Sequence, residues 1–294
     1  KNKDSKNKDS KNKDSKNKGV VSMSNKIIVV GGGAAGMMTA IVAKRNGADV
    51  SLLERNDRVG KKLLATGNGR CNYTNLNANI HNYHGLNNKF AIHALSELNV
   101  DKTINFFEEL GITPTEEENG KVYPLSFQSS SMLDVLRYEL DYSKVDLITN
   151  AFVSEIEKKK NFIVKLKDGR VFEANKVILA TGGMAMPVSG SDGNGYSIVK
   201  RLGHSVTDVF PGLVQLKLEG SIFKQGNGVK FIGTAGIYDR NKLIMEDKGD
   251  ILFTDYGISG PPILQISRKA IEMINKGVDI ELRISIIHSQ TSDE

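Results

Sequence analysis

A chain of 294 residues, 39% hydrophobic and 25% charged, is long enough for one large or two modest domains with buried cores. No apolar run approaches the roughly 18 residues that cross a bilayer, so we expect no membrane partner. The net charge is +6, but the eight lysines and three aspartates of the first 18 residues contribute +5, which leaves about +1 for the rest. A nucleic-acid partner is therefore not expected either.

The first 22 residues open with a KNKDS repeat, and residues 1–18 contain no apolar side chain. Such a segment cannot bury enough surface to offset the entropy lost on ordering. We predict a disordered extension ahead of a candidate natural start at Met23, with a basic anchoring arm as the alternative.

The chain has one cysteine, Cys71, which can form neither an internal disulfide nor a redox dithiol pair. The cytoplasm is therefore the expected compartment. His81 and His84 lie in an Asn-rich segment without further ligands at metal spacing, so no metal site is predicted.

The folded part begins with the pattern of a βαβ unit. A β-branched strand (Lys26–Val30) precedes a small-residue helix (Ala34–Asn46) and a second strand (Asp49–Leu53). The intervening GGGAAG has glycines at the GxGxxG positions, where they permit a tight turn, close approach of a phosphate and close helix packing. The free N–H groups of the helix N-terminus favour a dinucleotide diphosphate. The predicted contacts are Gly31, Gly33, Ala34, Ala35 and Gly36.

Glu54 ends the second strand 18 residues after Gly36, where a carboxylate accepts hydrogen bonds from an adenosine ribose. Its charge would repel a 2′-phosphate, which argues against NADP at this site. NAD and FAD both remain. The alternative is an ordinary glycine turn followed by a surface glutamate.

Residues 151–173 alternate in polarity around Asp168-Gly169 and predict an antiparallel meander. A strand (Lys176–Ala180) then leads into a second glycine turn (Thr181–Gly183). An NAD dehydrogenase lacks this meander, so the pattern favours FAD, with Val153 expected beside adenine. The alternative for the second turn is an ordinary exit from a strand.

The remaining elements predict an α/β fold in two parts. A Rossmann-like, three-layer FAD-binding domain with the meander is expected at 23–186, and a partial, β-barrel-like domain at 187–294. The other predicted elements are helices Phe90–Leu98, Asp101–Leu110 (with Asp101 as N-cap) and Ser129–Asp141, and strands Lys121–Leu125 and Val278–Ile287.

Three separated blocks resemble the BaiN-like family, also called aminoacetone-oxidase-like FAD-dependent oxidoreductases. They are GKKLLATGNGRCNYTN at 60–75 with ERNDRV before it, ATGGMAMPVSGSDGNGYSIVKRLGH at 180–204, and ILFTDYGISGPPILQIS at 251–267. The resemblance implies an FAD-binding domain interrupted by a β-barrel-like domain and a helical insert. The chain ends inside what resembles the barrel, so it is expected to be a fragment or a truncated protein.

The resemblance also implies cofactor contacts. Glu54 corresponds to the ribose ligand, and Lys62 and the Thr66–Asn72 loop are expected along the diphosphate, ribityl chain and flavin. Arg70 is a candidate phosphate ligand, with a structural ion pair as the alternative, and Cys71 is expected to pack near the flavin. The other cofactor contacts predicted from residues and resemblance together are Arg55, Thr66, Gly67, Asn68, Gly69, Asn72, Ala180, Thr181, Gly182 and Gly183.

These observations predict an FAD-dependent oxidoreductase that transfers hydride through bound FAD to or from a small-molecule substrate. NAD(P)H is the candidate reductant, and no catalytic acid or base is assigned. Departures from the family pattern at Asn194, Gln215 and Asp255 leave the substrate contacts open. The alternatives are a non-catalytic FAD-binding remnant, an NAD-dependent Rossmann dehydrogenase and a flavoprotein acting on tRNA, which the near-neutral folded part disfavours.

Overall fold

The computed structural model describes residues 25–220 and 222–286. The predicted disordered extension at 1–22 and the candidate start at Met23 lie outside these residues. Internal contacts divide the chain into two compact units, one ending at Ser205 and the other beginning at Val206. Residues 187–205, predicted as part of the second domain, therefore belong by their contacts to the first unit.

The first unit contains ten strands and five α-helices within its described residues. The strands are β1 Lys26–Val30, β2 Asp49–Leu53, β3 Thr74–Asn75, β4 Pro114–Glu117, β5 Lys121–Pro124, β6 Asp146–Ile148, β7 Val153–Lys158, β8 Phe162–Leu166, β9 Val171–Ala174 and β10 Lys176–Leu179. The helices are α1 Ala34–Arg45, α2 Ile92–Glu97, α3 Val100–Glu109, α4 Ser129–Tyr142 and α5 Asn194–Arg201.

A parallel sheet with strand order β10-β1-β2-β6 forms the centre of this unit. Successive side chains of β1 point to opposite faces, and both faces are buried. Ile27 and Val29 pack with α1 and α4, whereas Ile28 and Val30 pack with the meander β7-β8-β9 and with α5. The predicted three-layer fold with its meander is thereby confirmed.

Several predicted boundaries shift in the structure. Helix α3 is capped by Asn99, whose side chain accepts a hydrogen bond from the Lys102 N–H at 2.9 Å, so Asp101 lies in the first turn and is not the N-cap. The helix predicted from Phe90 begins as a 3₁₀ turn (Asn88–Ala91) before α2. Asparagine and aspartate both cap helices well, so two candidates close together leave the register open in sequence.

The second unit is a five-stranded half-barrel with strand order β11-β14-β13-β12-β15, which confirms the predicted β-barrel-like part. It also contains a 15-residue helix that was not predicted. Ile263, Ile266, Ala270 and Met273 of that helix recur at helical spacing and fill the core of the unit. The elements are β11 Leu216–Lys217, α6 Ile222–Gln225, β12 Lys230–Asp239, β13 Lys242–Thr254, β14 Gly257–Ser259, α7 Pro261–Asn275 and β15 Glu281–Ser285.

Candidate functional site

The glycine turn joins β1 to α1 at the carboxyl edge of the parallel sheet. Gly31 has a φ of +106°, and a Cβ there would lie 2.5 Å from the Ala180 carbonyl oxygen. A Cβ on Gly36 would lie 1.7 Å from the Gly31 carbonyl oxygen, because helix and turn are in direct contact. A Cβ on Gly33 would meet no atom within 4 Å. Two glycines therefore hold the turn together, and the third leaves open space beside the helix N-terminus.

Glu54 follows β2 and is buried, with 6% of its surface exposed. Its Oε2 accepts a hydrogen bond from the Gly32 N–H at 2.6 Å, and its Oε1 accepts from the backbone N–H and side-chain Nδ2 of Asn56 at 2.8 and 2.7 Å. A carboxylate offers about four acceptor positions. Glu54 therefore holds the glycine turn in place and still has room on Oε2 for one more donor.

The turn, Glu54 and the end of β10 line one cavity of about 300 Å³, which we call the glycine-turn cavity. This volume is at the lower end of the range for small-ligand sites. All of its lining residues belong to the first unit. The predicted site residues that line it are Gly31, Gly33, Ala34, Ala35, Glu54, Arg55, Lys62, Thr66, Val153, Ala180, Thr181 and Gly182.

The electrostatics of the glycine-turn cavity favour an anion. Helix α1 has no acidic residue in its first turn, so its N-terminal N–H groups keep their partial positive charge. The Lys62 Nζ lies 4.0 Å from the position of a Cβ on Gly182, and Lys62 has no ion pair within the described residues. The neighbouring Lys61 is instead paired with Asp57 at 2.7 Å. Lys62 is thus a free ammonium group beside the turn, as a diphosphate site requires.

Sequence reasoning missed four lining residues that follow the second glycine turn: Ser189, Gly190, Ser191 and Asn194. Ser191 is buried and donates a hydrogen bond from its hydroxyl to the Gly183 carbonyl oxygen at 2.9 Å. The sequence GSDGNG at 190–195 could have indicated these residues, because its glycines precede a helix as those of the first glycine turn do. The missed residues bring the N-terminus of α5 to the same cavity as that of α1.

The loop after Lys62 adopts the irregular backbone expected of a ligand-binding loop. Gly67, Asn68, Gly69 and Cys71 all have positive φ angles, and Asn72 donates side-chain hydrogen bonds to the Thr74 and Val122 carbonyls. Of the predicted residues in this loop, only Thr66 lines the glycine-turn cavity. The other predicted residues outside its lining are Gly36, Gly67, Asn68, Gly69, Arg70, Cys71, Asn72 and Gly183.

Arg70 makes the contacts of the structural alternative. Its Nη1 lies 2.8 Å from Glu117 Oε1, and its guanidinium stands 4.5 Å from the ring centre of Tyr123. The charge of Arg70 is therefore compensated within the protein. Of the cationic residues that line the cavity, Arg55 is paired with Asp192 and Lys61 with Asp57, whereas Lys62 has no ion pair with any described residue.

The amino-acid sequence matches the family model described as HI0933-like protein Rossmann domain over residues 25–279. The chain belongs to this family. The resemblance to BaiN-like flavoproteins, predicted from three blocks of sequence, is confirmed.

This HI0933-like chain is similar to two curated relatives and to one solved structure. It is 38% identical over 266 residues to the 3-dehydro-bile acid delta(4,6)-reductase of Clostridium scindens, covering 90% of this chain and 64% of the relative. It is 29% identical over 245 residues to the ribosomal RNA dihydrouridine synthase of Escherichia coli, covering 82% and 60%. An open flavocytochrome c3 fumarate reductase has a TM-score of 0.49 at 20% identity, covering 70% of this chain and 46% of that one. The chain thus spans less than two thirds of the length of these curated relatives.

The buried cysteine of this HI0933-like chain is suited to packing. Cys71 is 5% exposed within the core formed by β1, α1 and α4. Burial raises the pKa of the thiol, while a hydrogen bond with Thr66 acts in the opposite direction. A protonated thiol is a poor nucleophile, so the environment of Cys71 disfavours covalent catalysis.

None of the described helices of this HI0933-like chain combines the length and apolarity needed to cross a membrane. Within the same residues, no group of three or more His, Cys, Asp or Glu side chains is placed to hold a metal ion.

Proposed function

We propose that the glycine-turn cavity binds the ADP half of FAD. The diphosphate would lie over the N-terminus of α1 beside Lys62, and the adenosine ribose would donate a hydrogen bond to Glu54 Oε2. The observation that carries this proposal is the convergence of four sequence-distant features on one cavity: the open face of Gly33, Glu54, Lys62 and the second glycine turn. An anion-binding helix end, a free ammonium group and a ribose acceptor are what an adenine dinucleotide needs.

We further propose that the chain is the FAD-binding part of an FAD-dependent oxidoreductase that reduces a small-molecule substrate, with NADH or NADPH as reductant. FAD, when bound, supplies the hydride-transfer chemistry. The described residues anchor the cofactor, whereas no residue is assigned as acid or base. Membership of the HI0933-like family and 38% identity to a protein named as a reductase support this class of reaction. The expected cytoplasmic location remains a prediction.

Three other functions share some of the features of this chain. Two relatives, at 29% and 28% identity, are named ribosomal RNA dihydrouridine synthases, but residues 19–294 have a net charge of only about +1. RNA binding depends on phosphate neutralisation by basic side chains, so a small-molecule substrate is favoured. An NAD-dependent dehydrogenase would share the first turn but not the meander β7-β8-β9. A non-catalytic FAD-binding remnant shares every feature of the cavity and differs only in turnover.

Flavin analysis and anaerobic reduction test these proposals in sequence. Purified protein, or protein incubated with FAD and then desalted, should be yellow and should release FAD and not FMN on denaturation. A protein that cannot be loaded with FAD overturns the cofactor proposal. Loaded protein mixed with NADH or NADPH without oxygen should lose its flavin absorbance. Bound FAD that neither nucleotide reduces argues for the remnant and against NAD(P)H as reductant.

A further inference from the structure

A short segment after the second glycine turn, residues 187–192, lies against the residues that follow Glu54. We call it the strap. The Asp192 Oδ2 is 2.7 Å from Arg55 Nη1, which also donates to the Gly190 carbonyl oxygen at 3.2 Å. Asn56 Nδ2 donates to the Ser189 carbonyl oxygen at 3.0 Å and to Glu54 Oε1 at 2.7 Å. The strap is therefore joined through Asn56 to the proposed ribose carboxylate.

The backbone of the strap lies close to the side chains of Arg55 and Asn56 at Gly190. Gly190 has a φ of +96°, and a Cβ there would lie 2.7 Å from Asn56 Nδ2 and 3.1 Å from Arg55 Cδ. A side chain at this position would have to displace both neighbours. Since Ser189, Gly190 and Ser191 all line the glycine-turn cavity, the strap forms part of its wall at the Glu54 end.

Asp192 is the ion-pair partner of Arg55. Its hydrogen bond with Arg55 lowers the pKa of Asp192, so the carboxylate is charged at neutral pH. The Arg55 guanidinium also stands 4.6 Å from the ring centre of Phe152, which restricts its orientation. Asp192 itself lies outside the lining of the cavity, but its pairing with Arg55, a lining residue, compensates the charge of the guanidinium next to Glu54. Without the Asp192 charge, Arg55 would be free to bind a phosphate, which its planar donor pair suits well.

We propose that Asp192 is a specificity-determining residue, which commits Arg55 to the strap and so makes the cavity select an adenosine with a free 2′-hydroxyl. The proposal rests on the proposed function, because it takes the ribose to lie at Glu54. The chemical class excluded is an adenine nucleotide with a 2′-phosphate, whose dianion would meet the Glu54 carboxylate while the neighbouring Arg55 guanidinium is already paired with Asp192.

The test compares two probes on flavin-free protein by calorimetric titration: ADP, and ADP with an additional 2′-phosphate. The variant Asp192→Asn removes the charge but keeps Oδ1, which accepts a hydrogen bond from the Asn194 N–H at 3.2 Å. The matched control, Asp168→Asn, removes the same charge from an ion pair of the same 2.7 Å length with Arg170, which lies outside the cavity. Thermal unfolding of each variant checks that the fold is retained.

Wild type and Asp168→Asn should bind ADP much more tightly than the 2′-phosphorylated probe. Asp192→Asn should shift the ratio of the two dissociation constants about tenfold toward the 2′-phosphorylated probe, as expected for one charge removed at the edge of a site. Wild-type discrimination in Asp192→Asn, with ADP binding intact, overturns this inference and leaves the proposed function standing. Failure of wild type to bind ADP overturns the proposed function, and this inference with it.

Discussion

The carboxylate of Glu54 and the backbone N–H of Gly32 are joined by a 2.6 Å hydrogen bond, although the two residues follow different strands of the sheet. The same carboxylate is the proposed ribose ligand, so Glu54 would both hold the glycine turn in place and bind the cofactor. Both strands end at the same edge because they pair in parallel.

Replacing Glu54 by Gln should weaken FAD retention. The amide keeps one acceptor oxygen but presents an NH2 group to either Gly32 or Asn56, which both donate to the carboxylate. Hydrogen bonds to a charged group contribute about 1.5–3 kcal/mol, so we expect FAD affinity to fall by tenfold or more and the free energy of unfolding to fall as well. FAD content after gel filtration and urea unfolding measure the two effects.

The control is Glu173→Gln, since Glu173 also accepts a 2.7 Å hydrogen bond from an asparagine side chain, that of Asn161, but in an exposed place. It should retain FAD fully. Wild-type FAD retention in Glu54→Gln would count against Glu54 as the ribose ligand.

Adjacent lysines should differ in their effect on FAD. Lys62→Gln removes the free ammonium group of the cavity, and we expect about tenfold weaker FAD binding, with less dependence on salt than in wild type. Lys61→Gln removes the same charge from a second residue that lines the cavity, but Asp57 already compensates that charge, so a small effect is expected. Fluorescence quenching of FAD during titration measures both variants at low and high salt. Equal losses in the two variants would contradict the assignment of Lys62.

Serine at two glycines of the turn should separate binding from stability. Gly33 is the N-cap of α1 with an extended backbone and open space around it, so Gly33→Ser should leave the melting temperature almost unchanged. Its side chain would occupy the space proposed for the diphosphate, and FAD binding should fall. Gly36→Ser would place Cβ against the Gly31 carbonyl and should lower the melting temperature markedly. A Gly33→Ser protein that binds FAD normally would place the diphosphate elsewhere.

Removing the Tyr73 hydroxyl should stabilise the protein. That oxygen is buried without a hydrogen-bond partner among the described residues, and burial, helped by the charges of Glu108 and Cys71, raises the Tyr73 pKa from 10.0 to about 12. Tyr73→Phe should therefore raise the free energy of unfolding at neutral pH by about 1 kcal/mol. Tyr123→Phe is the matched control, because the buried Tyr123 hydroxyl accepts a 3.4 Å hydrogen bond from Arg70, and it should not stabilise.

The Tyr73 pKa also predicts a pH dependence. In the unfolded chain a tyrosine ionises near pH 10, whereas folded Tyr73 keeps its proton until about pH 12. The native state then binds more protons, so stability falls as pH rises from 10 to about 12. The raised pKa of Cys71 acts in the same direction from its ordinary value of 9.0 upward. Urea unfolding should show that the free energy of unfolding falls less steeply with pH in Tyr73→Phe than in wild type. Equal slopes in the two proteins would contradict the raised pKa of Tyr73.

The local features of this protein could be predicted from its sequence. The predicted boundaries agree closely with the structure for the βαβ unit, the glycine turn, the meander and β10. Their signals are short-range: β-branched runs, helix-ending glycines and an Asp-Gly turn. The family could be predicted too, since its blocks are contiguous stretches of sequence. Helix α7 could also have been predicted, because its apolar spacing follows two prolines at a helix start.

The partners of side chains were decided only by the tertiary structure. Lys61 and Lys62 are adjacent and chemically identical, yet Asp57 pairs with Lys61 and none of the described residues pairs with Lys62. Arg70 is paired with Glu117, 47 residues away, and Arg55 with Asp192, 137 residues away. Glycines and apolar runs act through the backbone nearby and can be recognised locally. A charged side chain acts through whichever opposite charge the folded chain brings to it, and that depends on strand order and loop path.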